Sequence, residues 1–289
     1  MTTELKRVSI SAPLVQPNLG AALRRQLGVF GRLSLPAISV SVFVFLYAPI
    51  AVLVFFSFNS GTRLGEWEGF SLQWYEKVFA SRDWMESLGT TLSIATVSMI
   101  FSTVLGTLGA LALERFRFKG KNAYDGVMYL PVIIPDIVMA LSLLLFFSSA
   151  GIQLSRWTVV FGHVAFNTAF VAVMIRARLA SMDPKLEEAA SDLYANAWQS
   201  FWRITFPLLR PAIIGGALMA FTMSFDEFVI TAFVSGTGDA TLPVRIYSMM
   251  RFGLRPELNA VASLVLILSI TLVVASLVLQ NRGKAAAAK

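Results

Sequence analysis

The sequence predicts an all-α membrane protein with six transmembrane helices, and three observations carry that expectation. Of 289 residues, 56% are hydrophobic and only 14% are charged, whereas a soluble domain is typically about 25% charged. The charged residues are grouped into short stretches between long apolar runs, the pattern of a polytopic membrane protein. Six of those runs are long enough for a hydrocarbon core about 30 Å thick, which takes roughly 20 apolar residues in helical form. They fall at about 35–57, 87–113, 127–149, 157–175, 212–234 and 259–280. Residues 35–280 then form one transmembrane domain, with tails at 1–34 and 281–289.

The tail is not read as a signal peptide, because prolines and arginines interrupt its apolar residues. "NLGAALRRQLGVFGRL" reads either as a short basic helix on the membrane surface or as a solvated tail. The first span ends at "FFSFNSG". The loop after it is rich in tryptophan and tyrosine, whose amphipathic rings favour the membrane interface. The second span is full of Gly, Ala, Ser and Thr. Small residues let helices approach closely in lipid, so it reads as an inner helix. The third opens with "LPVIIPDI", where two prolines predict a bend or unwinding at that end. "GTGDAT" at 236–241 reads as a turn, and no glycine-rich phosphate loop occurs.

Placing both termini in the cytoplasm puts 17 basic residues inside and 7 outside, the sense of the positive-inside rule. The net charge of +7 then reflects topology and anionic lipid, not nucleic acid. Cysteine is absent and histidine occurs once, which excludes disulfides, thiol nucleophiles and multi-His metal centres. No metal site is expected.

The longest polar interruption in the second half is "EEAASDLYANAWQSFWRITFPLLRP", residues 187–211. Asp183-Pro184 reads as a helix N-cap followed by its first residue. Leu186, Ala189, Ala190 and Leu193 then share one helix face. Glu187 and Glu188 lie in the first turn, where the helix dipole favours acids. Asn196 breaks the pattern, and Trp198, Phe201 and Trp202 line a second short turn. Two surface helices with small side chains between acids suit docking into a protein groove. A plain connector between spans is the alternative.

This segment resembles the EAA loop of permease subunits of bacterial ABC importers: E-A-A, three residues, G, nine residues, I-x-L-P. Glu188, Ala189, Ala190, Ile204 and Pro207 match at that spacing. Tyr194 stands at the glycine and Phe206 at the leucine. Glycine tolerates positive φ, which tyrosine adopts rarely. "YAPIAVLVFFSFNS", "PDIVMALSLLLFF" and the stretch from "AFTMSFDEFVITAFVSG" to "RPELNA" are similar to the second permease of spermidine/putrescine importers. The resemblance implies a type I ABC importer permease fold in the bacterial inner membrane. It implies a homologous partner permease, two cytoplasmic ATPase subunits that bind ATP and Mg2+, and a periplasmic binding protein. It also implies an ATPase-docking, coupling role for Glu187, Glu188, Ala189, Ala190, Asp192, Leu193, Tyr194, Ile204, Phe206 and Pro207. The chain itself would be no enzyme and would hold no cofactor. Its cargo would be a polyamine or a related compound such as an ω-amino acid or opine.

Three acids, Asp136, Asp226 and Glu227, fall inside expected spans, where a charge is costly and usually functional. At about 1.5 Å per residue, Asp136 lies ~14 Å and Asp226 ~20 Å from the cytoplasmic end. On one continuous helix Asp226 and Glu227 would point about 100° apart. Such carboxylates suit a substrate bearing ammonium groups, and Phe225 and Phe228 could add cation–π contact. The alternatives are that Asp136 caps exposed amides and that Asp226 or Glu227 bonds to a partner helix. His163 reads as a packed, hydrogen-bonded histidine. A secondary transporter would use the same acids as ion sites, but such chains usually carry internal repeats, and none is visible.

Overall fold

The computed structural model describes residues 19–63, 65–183, 185–251 and 255–287. Pro184, expected as the first residue of a helix, and most of the expected N-terminal tail lie outside them. By compactness the chain divides into Met1–Val52 and Leu53–Lys289. Among the described residues regular structure is helical, apart from one isolated antiparallel bridge between Asn59 and Phe70.

In the first unit, helix α1 (Leu19–Phe56) runs without a break from the basic segment into the first apolar run, and ends in the second unit. The second unit opens with α2 (Gln73–Ala80), α3 (Arg82–Arg115), α4 (Lys121–Ile133), α5 (Asp136–Ser149) and α6 (Arg156–Ala180). Next come α7 (Lys185–Asp192), α8 (Ala197–Ser200), a π-helical turn at Phe201–Thr205 and α9 (Phe206–Phe225). Helices α10 (Val229–Val234), α11 (Leu242–Arg251) and α12 (Glu257–Ala287) complete it.

Helix α3 is the inner helix that its composition predicts. Thr91, Ala95, Ser98, Ser102, Gly106, Gly109 and Leu113 are buried at steps of three or four, which draws one seam along a single face. Helices α6 and α9 pack on α3 and on each other. At Gly106 a Cβ would stand 2.8 Å from Val171 of α6 and 2.9 Å from the Thr168 carbonyl, so only glycine permits that approach. Arg176 of α6 ties the same end together. It donates to Glu114 of α3 at 2.8 Å, and to Asp125 and the Tyr129 hydroxyl of α4 at 2.5 and 3.0 Å.

Two expected spans are not single helices. The run 127–149 is split into α4 and α5, bent by 112°. Pro135 is the cause, because the residue before a proline is pushed out of helical geometry, and Ile134 is extended at φ −75°, ψ 134°. The run 212–234 is split at Asp226–Phe228, so the expected 100° relation between Asp226 and Glu227 does not apply. Two of the tryptophans in and after the first outer loop also differ from expectation. Trp74 and Trp84 are buried against Leu242 and Leu258, and the Trp74 indole donates to the Asn59 carbonyl at 2.8 Å. They pack in the protein instead of anchoring at an interface.

Among the described residues, four helices can cross a membrane by length and composition: Pro36–Phe56, Arg82–Arg115, Arg156–Ala180 and Ala197–Phe225. The bent pair α4–α5 makes a fifth if it counts as one span. In α12 the described apolar stretch, Glu257–Thr271, is shorter.

Gly106→Ala should lower the thermal stability of the purified protein, by about 1–3 kcal/mol for overpacking. Gly126→Ala, in α4 with nothing near its Cβ position, should leave it unchanged or raised by about 0.5–1 kcal/mol. Melting curves in detergent compare the two directly.

Candidate functional site

The polar connector between α6 and α9 folds as its residue types dictate. The Asp183 carboxylate accepts from the Lys185 amide at 3.0 Å, an N-cap that starts α7. At the other end Ala195 N–H donates to Ala190 O and Tyr194 N–H to Ser191 O, both at 3.0 Å. Those two bonds define a Schellman stop, which needs a left-handed residue at Tyr194's position. Tyr194 has φ 60° and is the one non-glycine residue with positive φ among those described. The turn that glycine serves in the EAA pattern is therefore kept, with tyrosine bearing the strain. Asn196 caps α8, accepting from the Gln199 amide at 2.8 Å while the Gln199 side chain accepts from the Asn196 amide. Trp198, Phe201, Trp202 and Phe206 then form one aromatic cluster, with ring centroids 4.7–6.1 Å apart.

The expected apolar stripe divides between two surroundings. Ala190 is buried at 7% exposure, whereas Leu193 is 82% and Tyr194 96% exposed. Leu186, Glu188, Ala189 and Asp192 are exposed as well. Glu187 turns inward, where its Oε1 accepts from Arg115 Nη2 and Thr205 Oγ1, both at 2.7 Å. Ile204 and Phe206 are half-buried, and Pro207 is exposed.

The second site is the break in the fifth apolar run. Helix α9 ends at Phe225, with Asp226 at φ −99°, ψ 1°, and α10 begins at Val229. An interrupted helix leaves amides without partners, and Glu227 supplies them. Its Oε1 accepts from the Ile230 amide at 2.8 Å, and its Oε2 from the Thr231 amide at 3.0 Å and the Thr231 hydroxyl at 3.1 Å. Behind it His163 is 1% exposed, with Nε2 3.3 Å from Glu227 Oε2 and 2.9 Å from Thr231 Oγ1. His163 Nδ1 meets Ser224 Oγ at 2.6 Å. With the proton on Nε2, the ring donates toward Glu227 and accepts from Ser224.

Of the acids singled out in sequence, Asp226 is exposed and makes no ion pair among the described residues. Asp136 is exposed at the start of α5. The two lie on different breaks, one between α4 and α5, the other between α9 and α10. Phe225 is 2% exposed, so in this chain its ring face is not open to a passing cation. Phe228 packs on Tyr247, with centroids 4.5 Å apart. Sequence reading missed the partners of both glutamates. His163 lies 64 residues from Glu227, and Arg115 lies 72 from Glu187, and no local pattern links them. Among the described residues no group of three or more His, Asp or Glu side chains is placed to hold a metal ion.

Residues 102–284 match the family described as binding-protein-dependent transport system inner membrane component. The chain is 39% identical over 249 residues to the spermidine/putrescine transport system permease protein PotC of Escherichia coli (strain K12), covering 86% of this chain and 94% of that protein. It is 42% identical over 232 residues to the putrescine transport system permease protein PotI of the same organism, covering 78% and 82%. In fold it is similar to the crystal structure of a bacterial ABC transporter involved in import of the acidic polysaccharide alginate. That match has TM-score 0.69 and 19% identity, and covers 93% of this chain and 99% of that one. The chain belongs to the family of inner membrane components of binding-protein-dependent transport systems. Within it, this is a permease subunit of an ABC importer and not an enzyme.

Tyr194→Gly should relieve the left-handed strain, which is about 1 kcal/mol or more for a non-glycine residue, without losing a buried contact. Hydrogen exchange of the Ala195 amide should slow accordingly. Faster exchange in the variant would show that the tyrosine ring itself holds the turn.

Proposed function

We propose that this subunit passes a polyamine of the spermidine/putrescine type inward across the membrane, as one half of a pair with a second permease. In this reading both termini are cytoplasmic, α12 completes six spans, and a periplasmic binding protein delivers the cargo. Two ATPase subunits, which bind ATP and Mg2+, dock on the connector through Glu188, Ala189, Leu193 and Tyr194. The observation that carries the reading is the 39–42% identity to two permeases named for spermidine/putrescine and putrescine transport, each spanning most of the chain.

The geometry supports a cationic cargo. A break in a membrane helix is tolerated where it lines a cavity or is buried in protein, and this break carries two acids with divided tasks. Glu227 is occupied by the amides of α10 and by His163. Asp226 is left exposed beside it. A fixed carboxylate in a low-dielectric path attracts an ammonium group and disfavours anions. We place the substrate-path role on Asp226, with Asp136 on the other broken helix as a second acid, and assign Glu227 to holding the break. Docking at the connector fits its exposed Leu193 and Tyr194, since apolar side chains gathered at one exposed turn suit a partner surface.

Asp226→Asn keeps the shape and removes the charge. ATP-driven uptake of putrescine into proteoliposomes holding the full complex should fall roughly tenfold, as a hydrogen bond to a charged group contributes about 1.5–3 kcal/mol. Assembly and ATP hydrolysis should persist. Undiminished uptake by the variant would remove Asp226 from the path. Wild-type uptake of an ω-amino acid in preference to putrescine would replace the cargo.

A further inference from the structure

Glu187 stands apart from the rest of the connector. Helix α7 buries only Ala190, and a cleft of about 420 Å³ opens between the connector and the end of α3. Leu111, Arg115, Phe116, Glu187, Phe201 and Thr205 line it. Apolar packing therefore does little to fix α7 against α3. One carboxylate oxygen does span the cleft, because Glu187 Oε1 accepts from both Arg115 and Thr205. Arg115 is the last residue of α3. Thr205 is buried, and it is the last residue of the π-helical turn that leads into α9. The ion pair is partly sheltered, with side chains 31% and 28% exposed, so water and salt screen it less than an open surface pair. The π-turn adds a second signal, since such wide turns occur frequently at functional sites in helices.

We infer that Glu187 is a positioning residue that makes the connector move as one body with α3 and α9. Resting on the docking role proposed above, a displacement imposed on the outward face of α7 then reaches two of the three helices at the centre of the subunit. Glu188, Leu193 and Tyr194 face the partner, and Glu187 faces the pathway helices. Without the strut the connector still follows its partner, while α3 and α9 lag behind it. ATP hydrolysis continues and less cargo crosses per ATP.

The test uses the full complex of permeases, ATPases and binding protein in proteoliposomes, and it reads putrescine transported per ATP hydrolysed. Glu187→Ala should assemble and hydrolyse ATP, with that ratio lowered about fivefold or more, the size of a typical coupling between sites. Arg115→Glu should lower it likewise. The doubly exchanged protein, Glu187→Arg with Arg115→Glu, should recover most of it, which general destabilisation would not allow. An unchanged ratio in Glu187→Ala overturns the inference, and so does loss of ATPase binding in that variant, which would make Glu187 a docking contact. A wild-type complex that fails to recruit the ATPases defeats the docking role itself and is distinguished by that result.

Discussion

A helix interrupted within an apolar run has to satisfy its free amides from inside the protein, because lipid offers no hydrogen bonds. In this chain the Glu227 carboxylate does so at the α9–α10 break, and much of the surrounding structure is arranged to keep it there. His163 lies behind the carboxylate from α6. Ser224, on the last turn of α9, holds the other ring nitrogen. Thr158, at the start of α6, donates to the Val234 carbonyl at the far end of α10 at 2.6 Å. Helix α10 is six residues long, too short to be stable alone, and both its ends are tied to α6. The bonded position of Glu227 is what leaves Asp226 as the unoccupied acid. In the proposed path, the acid offered to a cation thus depends on a neighbouring acid being fully engaged.

The same division between engaged and free groups recurs at the connector. Glu187 is committed to Arg115 and Thr205, while Glu188 is exposed one residue later. In each pair of adjacent acids, one holds the chain to itself and the other faces outward. Between the two sites runs the small-residue seam of α3, where glycine, alanine and serine allow α6 and α9 to pack closely. Close packing at Gly106 and the charged knot around Arg176 make that bundle stiff, and a stiff bundle can transmit a push from the connector.

Much of the fold was legible in the sequence because the hydrophobic signal is strong and local. Apolar runs locate the long helices, the Gly/Ala/Ser/Thr pattern of residues 87–113 identifies the inner helix, and the spacing from Glu188 to Pro207 locates the connector. Tyr194 stands where the pattern has glycine, and the backbone keeps φ positive there all the same. Breaks were harder to see. Pro131 and Pro135 signalled the first one, although not its 112° angle. Nothing of that kind marks the second: "FDEFV" contains no proline or glycine, and it reads as continuous helix until His163 and Thr231 are seen to surround Glu227. Likewise Trp74 and Trp84 carry the composition of an interface belt, and only the packing of Leu242 and Leu258 against them shows their burial. What the sequence concealed in each case was a long-range partner.

The most direct measurement is hydrogen exchange at the amides of Ile230 and Thr231 in the reconstituted protein, in wild type and in Glu227→Ala. Exchange should be slow in wild type. In the variant it should be faster by about tenfold or more at those two amides, the effect of losing a charged hydrogen-bond acceptor, with the amides of α3 unchanged. Equal exchange in the two proteins would mean that Glu227 does not hold the break, and the separation of tasks between Glu227 and Asp226 would fall with it.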